Sequence, residues 1–158
     1  MSNLVIAIDP GNKGGVASGV AGVPPRLDKL PPEGAELVAL LRDIVSSSKE
    51  YDGGEVSLVL EQVGGYAGTG HPGSSMFRFG QSYGTVLGVA AAMGMNAELV
   101  TPQVWQRRLN IGVRGLRTKS QWKSLLRKHA ISLYPTLKPT LQTADALLLW
   151  HAKTTWTP

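Results

Sequence analysis

Three acidic residues stand where the surrounding chain is apolar enough to be buried. Asp9 ends the run Leu-Val-Ile-Ala-Ile, Glu61 ends Val-Ser-Leu-Val-Leu, and Asp145 lies early in Ala144–Trp150. A carboxylate carried into a core is costly unless it is paired or given a cation. Three that converge repel one another until divalent ions neutralise them. Two such ions, ~3.5–4 Å apart, support in-line phosphodiester hydrolysis: one activates water and the other stabilises the leaving 3′ oxygen. Each residue also has a plainer reading. Asp9 suits the turn Asp-Pro-Gly, Glu61 suits a solvent-facing strand end, and Asp145 suits the positive end of a helix macrodipole. Singly, the plain readings are the better ones. Together, in this order and on these elements, the three favour a metal site.

Composition narrows the metal. The 158 residues include no cysteine, which excludes disulfides and thiolate ligands, and only three scattered histidines, too few for a His-built zinc site. A carboxylate site points to hard cations, Mg²⁺ or Mn²⁺, and two ions are expected. The formal charge is +5. It is segregated: residues 101–129 carry Arg107, Arg108, Arg114, Arg117, Lys119, Lys123, Arg127 and Lys128 with no acid among them, whereas residues 33–61 are acid-rich. A one-sided basic surface suits a polyanion.

The elements that must position these residues follow from period and punctuation. Residues 3–8 and 14–20 read as strands of a hairpin broken by Asp9-Pro10-Gly11-Asn12, with a further short strand at 26–30. Leu37, Leu40, Leu41, Ile44 and Val45 share one helical face over 33–48. Strand 56–60 follows, then a Gly-rich loop over 63–75, a small-residue helix over 76–93 and a strand over 97–100. Thr101-Pro102 and Thr118 each start a helix. The last helix is expected over 140–152. An N-terminal hairpin joined to helix-linked parallel strands is α/β in class, a central mixed sheet flanked by helices. The length suits one domain, 1–158. No leader or membrane span is read, so a soluble, cytoplasmic protein is expected.

The same residues resemble RuvC-type Holliday-junction resolvases, including phage and organellar branches of that RNase H-like superfamily. Ile8-Asp9-Pro10-Gly11 is similar to the family's opening and Glu61-Gln62-Val63 to its second acidic motif. Gly80-Gln81-Ser82-Tyr83-Gly84 with Val86–Ala91 resembles its Gly-Gln-Ala-Arg-Gly helix. Thr101-Pro102-Gln103-Val104, Lys119-Ser120-Gln121 and Ala144-Asp145-Ala146-Leu147 resemble later segments in the same order. The resemblance covers nearly the whole chain. It implies an RNase H-like fold and a homodimer that nicks two opposing strands of a four-way junction with Mg²⁺ or Mn²⁺. Asp9, Glu61 and Asp145 become metal ligands, and Lys119 a lysine near the scissile phosphate that stabilises the transition state or assists water activation. An ordinary phosphate-contacting helix-start lysine remains the equal alternative.

The chain departs from the family at two places. The family's fourth ligand, an Asp or His three residues before the last Asp, is here Gln142, which shares a face with Asp145 if both are helical and ligates a hard cation more weakly. The family's aromatic three residues past the second acid is here Gly64, leaving Tyr66 as the nearest ring to stack on an unpaired base. Arg107, Arg108, Arg114, Arg117, Lys119 and Lys123 are expected on phosphates. The Gly- and Ala-rich stretch around Tyr83–Met93 is expected to form a two-fold dimer interface, matching a symmetric branched DNA. A junction-binding protein with weak or no catalysis is the main alternative, encouraged by Gln142. An RNase H acting on RNA–DNA hybrids and an actin-like ATPase rank below it, the latter because the chain has no room for a duplicated domain.

Overall fold

The computed structural model describes residues 1–62 and 73–156. Strands β1 (Leu4–Ile8), β2 (Gly15–Val20) and β3 (Arg26–Lys29) form an antiparallel meander. Helix α1 (Gly34–Ser47) then carries the chain to β4 (Val56–Glu61), parallel to β1. Helix α2 (Gly73–Ala92) leads to β5 (Ala97–Val100), parallel to β4. Helices α3 (Pro102–Arg108), α4 (Lys119–Leu133) and α5 (Ala144–Thr155) complete the chain. The sheet order is β3-β2-β1-β4-β5. This is the expected α/β class.

Both faces of the sheet are covered, which is why β1 is buried along its whole length. Strand period 2 sorts its residues. Leu4, Ile6 and Ile8, with Leu58 and Leu60 of β4, face α1 and α2 through Leu37, Leu41, Ile44, Val86 and Ala90. Val5, Ala7 and Val59 face the opposite layer, where α5 packs with Trp105, Trp122, Leu126 and Ala130. α5 is buried from Ala144 to Trp150, all round, because it lies between the sheet and α3/α4.

Two contacts fix α5 on the sheet. The indole N–H of Trp150 is shared between the carbonyls of Val5 and Gly19, at 3.2 and 3.4 Å. At the other end, β2 opens on Gly15, where a Cβ would stand 2.6 Å from the Gln142 carbonyl oxygen and 2.9 Å from Thr143 Cα. Only glycine lets the turn before α5 approach β2 so closely.

The last helix starts later than its sequence predicts, at Ala144 rather than residue 140. The Thr143 hydroxyl accepts from the Thr140 N–H at 3.0 Å, and the Thr143 N–H donates to the Thr140 hydroxyl. These local bonds hold 140–143 as a turn in competition with helix. α2, by contrast, starts at Gly73, earlier than expected. Thr118 caps α4 through a full capping box with Gln121. Thr101 precedes α3 as expected, but its side chain makes no capping bond.

Candidate active site

The register of the central strands brings two acids together. Ile8 pairs with Leu60 across the parallel β1/β4 ladder, so the next residues along are Asp9 and Glu61. Neighbouring strands lie ~4.8 Å apart. Alternation then turns both side chains to the face shared with Val5, Ala7 and Val59, the face α5 covers. Asp145, in the first turn of α5, is the third acid there and is buried. The turn after β1 is closed by the Asp9 N–H donating to the Gly15 carbonyl at 3.0 Å. It requires Gly14, because any Cβ there would fall 2.0 Å from the Asp9 carbonyl oxygen.

Their proximity shows in their acidity. Burial first, then the charge of Asp145, pushes Asp9 up to about 7, with Lys123 opposing. Burial, Asp9 and Asp145 push Glu61 up to about 8, against the hydrogen bond from Trp105 and the charge of Lys123. The Trp105 indole N–H donates to Glu61 Oε2 at 2.9 Å, and the ring itself is fully buried. Lys123, on α4, donates to Asp145 Oδ2. Burial alone would lower the Lys123 ammonium, but Asp145, Asp9 and Glu61 together hold it above its ordinary value.

The donor set fits a hard divalent cation. It is all oxygen, three carboxylates face one ammonium, and Asp145 Oδ1 is buried with no hydrogen-bond partner among the described residues. The side chains are not closed around an ion: among the described residues no three Asp, Glu or His groups converge on one point that could hold a metal. Lys123 engages Asp145 instead.

The other residues singled out in the sequence fall in different places. Lys119 is the first residue of α4, exposed and without a contact to the acids; Lys123, one turn further on the same helix face, is the lysine that reaches them. Gln142 lies in the turn before α5, so the helical-face argument placing it beside Asp145 does not hold. Its side chain is half-buried and, among the described residues, makes no hydrogen bond to the carboxylates. Tyr66 lies outside the described residues. Arg107 is exposed on α3, while Arg108 stacks over the Trp156 ring, 4.0 Å from its centroid. Arg114 and Arg117 bond to carbonyls of their own loop. Arg127 donates to the Pro139 carbonyl at 2.9 Å, a structural tie between α4 and the chain leading to α5.

Sequence reading missed the site roles of Trp105 and Lys123. The available signal for Trp105 was its indole, which needs a partner when buried. The signal for Lys123 was its place between the buried Trp122 and Leu126.

No known protein family matches the sequence, and no curated protein resembles it significantly. Solved structures do match its shape. Thermus thermophilus RuvC in complex with Holliday junction substrate superposes with a TM-score of 0.53 at 18% identity, covering 94% of this chain and 90% of that one. A second Thermus thermophilus RuvC structure gives a TM-score of 0.50 at 18% identity, covering 94% and 92%. The fold is that of RuvC. The expected RNase H-like arrangement is therefore present, with β1, β4 and α5 presenting Asp9, Glu61 and Asp145 from one RuvC-like framework.

Proposed function

We propose that this chain is a divalent-metal-dependent endonuclease that cuts four-way or otherwise branched DNA as a symmetric homodimer. The observation that carries the reading is that β1, β4 and α5 bring Asp9, Glu61 and Asp145 to the same side of a RuvC-like sheet, near enough that burial and their mutual repulsion raise the first two to about 7 and about 8. Carboxylates this crowded stay ionised at neutral pH only with a cation to share. Asp9, Glu61 and Asp145 would hold Mg²⁺ or Mn²⁺, with Gln142 a weaker carbonyl ligand. A bound divalent cation supplies Lewis acidity toward the phosphodiester and a water of lowered pKa. Trp105 orients Glu61, and Lys123 is placed to neutralise charge developing on the phosphate once it is released from Asp145.

The junction seen with the Thermus RuvC supports branched DNA as the substrate class. Arg107, Arg108, Lys119 and the arginines before α4 form the basic flank that would meet backbone phosphates. The open face of α2 supports the dimer: Phe77 is 67% exposed, and a Cβ built at Gly80, Gly84 or Gly88 would meet none of the described residues within 4 Å. These glycines are not used to pack α2 on its own sheet, and a symmetry mate could approach them closely.

A second reading, a junction-binding protein without catalysis, is favoured by the Lys123–Asp145 pair and by a glutamine where the family has a charged or imidazole ligand. A labelled mobile four-way junction incubated with EDTA, Mg²⁺ or Mn²⁺, beside Asp9→Asn, separates the two. Paired nicks on opposing strands that need both metal and Asp9 are the expected result. Tight binding with no cutting in either metal overturns the enzyme and leaves the binding protein.

A further inference from the structure

The segment joining α3 to α4, residues 109–118, is anchored at its base and apolar at its tip. Leu109 and Ile111 pack against the core beside α5. Two residues further on, Val113 is 78% exposed, and Leu116 is fully exposed. Isolated apolar residues on a surface are ordinary, but these two are held out by a fixed loop. Asn110, Gly112 and Gly115 have φ of 54°, 88° and 57°, so the chain curls through the left-handed region three times. Arg114 Nε donates to the Arg117 carbonyl at 3.0 Å, and Arg117 Nη1 donates to the Val113 carbonyl at 3.3 Å. The two arginines brace the curl from within while keeping their charge on it.

We propose that Val113 and Leu116 form a wedge that enters the branch point of the DNA and unstacks the adjoining base step. The inference rests on the branched-DNA reading above. An apolar pair ringed by cations suits a nucleic acid: the cations meet phosphates while the aliphatic tip replaces a lost stacking partner. The surroundings are Arg107, Arg114, Arg117 and Lys119, with no acid between residues 101 and 129. Beside the loop lies an open hollow of about 640 Å³ lined by Gln103, Gln106, Arg107 and Asn110. Its amides offer a displaced base both donors and acceptors. The position also fits the chemistry. Thr118 caps α4 five residues before Lys123, ~7.5 Å along the helix axis, so the loop leads directly into the helix that carries the lysine on Asp145.

The test places 2-aminopurine at the branch of a four-way junction, with Ca²⁺ replacing Mg²⁺ to hold off cutting, and compares the wild-type chain with the double variant Val113→Ser/Leu116→Ser. The wild-type chain is expected to raise the fluorescence on binding. The variant should lose at least about half of that rise while its affinity for linear duplex stays within about twofold. Its melting temperature should be unchanged, because both side chains already face water. Junction binding by both proteins with an equal fluorescence rise overturns the wedge and leaves the function reading standing. If the variant also changes from dimer to monomer by light scattering, the apolar tip is a subunit contact and the wedge is overturned. If the wild-type chain does not bind junctions in preference to duplex, the function reading itself fails and takes the wedge with it.

Discussion

The two faces of this sheet are made from the same strands and do different work. Toward α1 and α2, Leu4, Ile6, Ile8, Leu58 and Leu60 meet aliphatic side chains, and the buried residues of this layer are all aliphatic. Toward α5, the strands offer smaller residues, Val5, Ala7, Ala17 and Val59, and the opposing helices bring Trp105, Trp122 and Trp150. Small strand residues let α5 approach, while the tryptophans supply N–H groups: Trp150 ties α5 to the sheet and Trp105 holds Glu61. Stability comes from area buried on both faces. Function sits on the one where the strands run out into carboxylates and polar handles are already in place.

The largest effect expected from breaking this contrast is at Asp9. Asp9→Asn should lower metal-dependent nicking by about three orders of magnitude or more, the loss of several kcal/mol of transition-state stabilisation. The same change should raise the melting temperature in EDTA, since it removes one charge from a crowded cluster. Cleavage assays and thermal melts on one preparation check both signs. A lower melting temperature would mark Asp9 as a structural turn residue. On the aliphatic face the pattern reverses. Leu58→Ala should cost about 2–5 kcal/mol of stability, as cavity-forming core substitutions do. The stabilisation that Mg²⁺ gives should stay the same as in the wild type, as read by denaturant unfolding with and without the ion.

Acidity sharpens the comparison further. Asp9 is raised from 3.8 to about 7 and Glu61 from 4.5 to about 8 in the folded protein. Between the unfolded and folded values the native state therefore binds more protons than the unfolded chain, and stability falls as pH rises through that window. In EDTA the protein should lose roughly 2 kcal/mol between pH 5 and pH 8, less than the two shifts summed, because the groups are coupled and partly open to water. That corresponds to a fall of about 5 °C in melting temperature for a chain of this size. Mg²⁺ should cancel most of the fall, and Glu61→Gln should flatten the curve without metal. A melting temperature that climbs from pH 5 to pH 8 in EDTA would mean that the carboxylates are not crowded in solution.

Much of this was legible in the chain. The apolar runs ending at Asp9 and Glu61 gave the two central strands, because a buried strand needs a continuous apolar run and the acids interrupt it at the point where the sheet stops. Period 3.6 gave α1, and Thr118 with Gln121 gave the start of α4. The start of the last helix was not legible. Its true boundary depends on hydroxyl bonds between Thr140 and Thr143, which hydrophobic spacing does not register, and the placing of Gln142 on a helix face failed with it. Trp105 could not be assigned to Glu61 because the two lie 44 residues apart and meet only through the β4/β5 crossover. Lys123 was harder to single out: Lys119 and Lys123 share a helix face, so motif matching found the face, while depth along the axis decides which one touches an acid.

That last point yields the smallest and most discriminating pair of variants. Lys123→Met keeps the aliphatic stem but leaves Asp145 without its cation. Lys123 is about a third exposed, so the cost in EDTA should be about 1–2 kcal/mol, below that of breaking a fully buried pair. Mg²⁺ should restore most of it, since a metal held by Asp145 takes over the role of the ammonium. Lys119→Gln should change stability by no more than about 0.5 kcal/mol, with or without the ion, as a substitution at an exposed residue does. Chemical denaturation of both variants with EDTA and with Mg²⁺ reads the four numbers together. Equal small effects would mean that the Lys123–Asp145 pair does not hold in solution. A larger, metal-sensitive effect at Lys119 would put that lysine at the acids after all, and α4 would have to sit about one turn further along its axis.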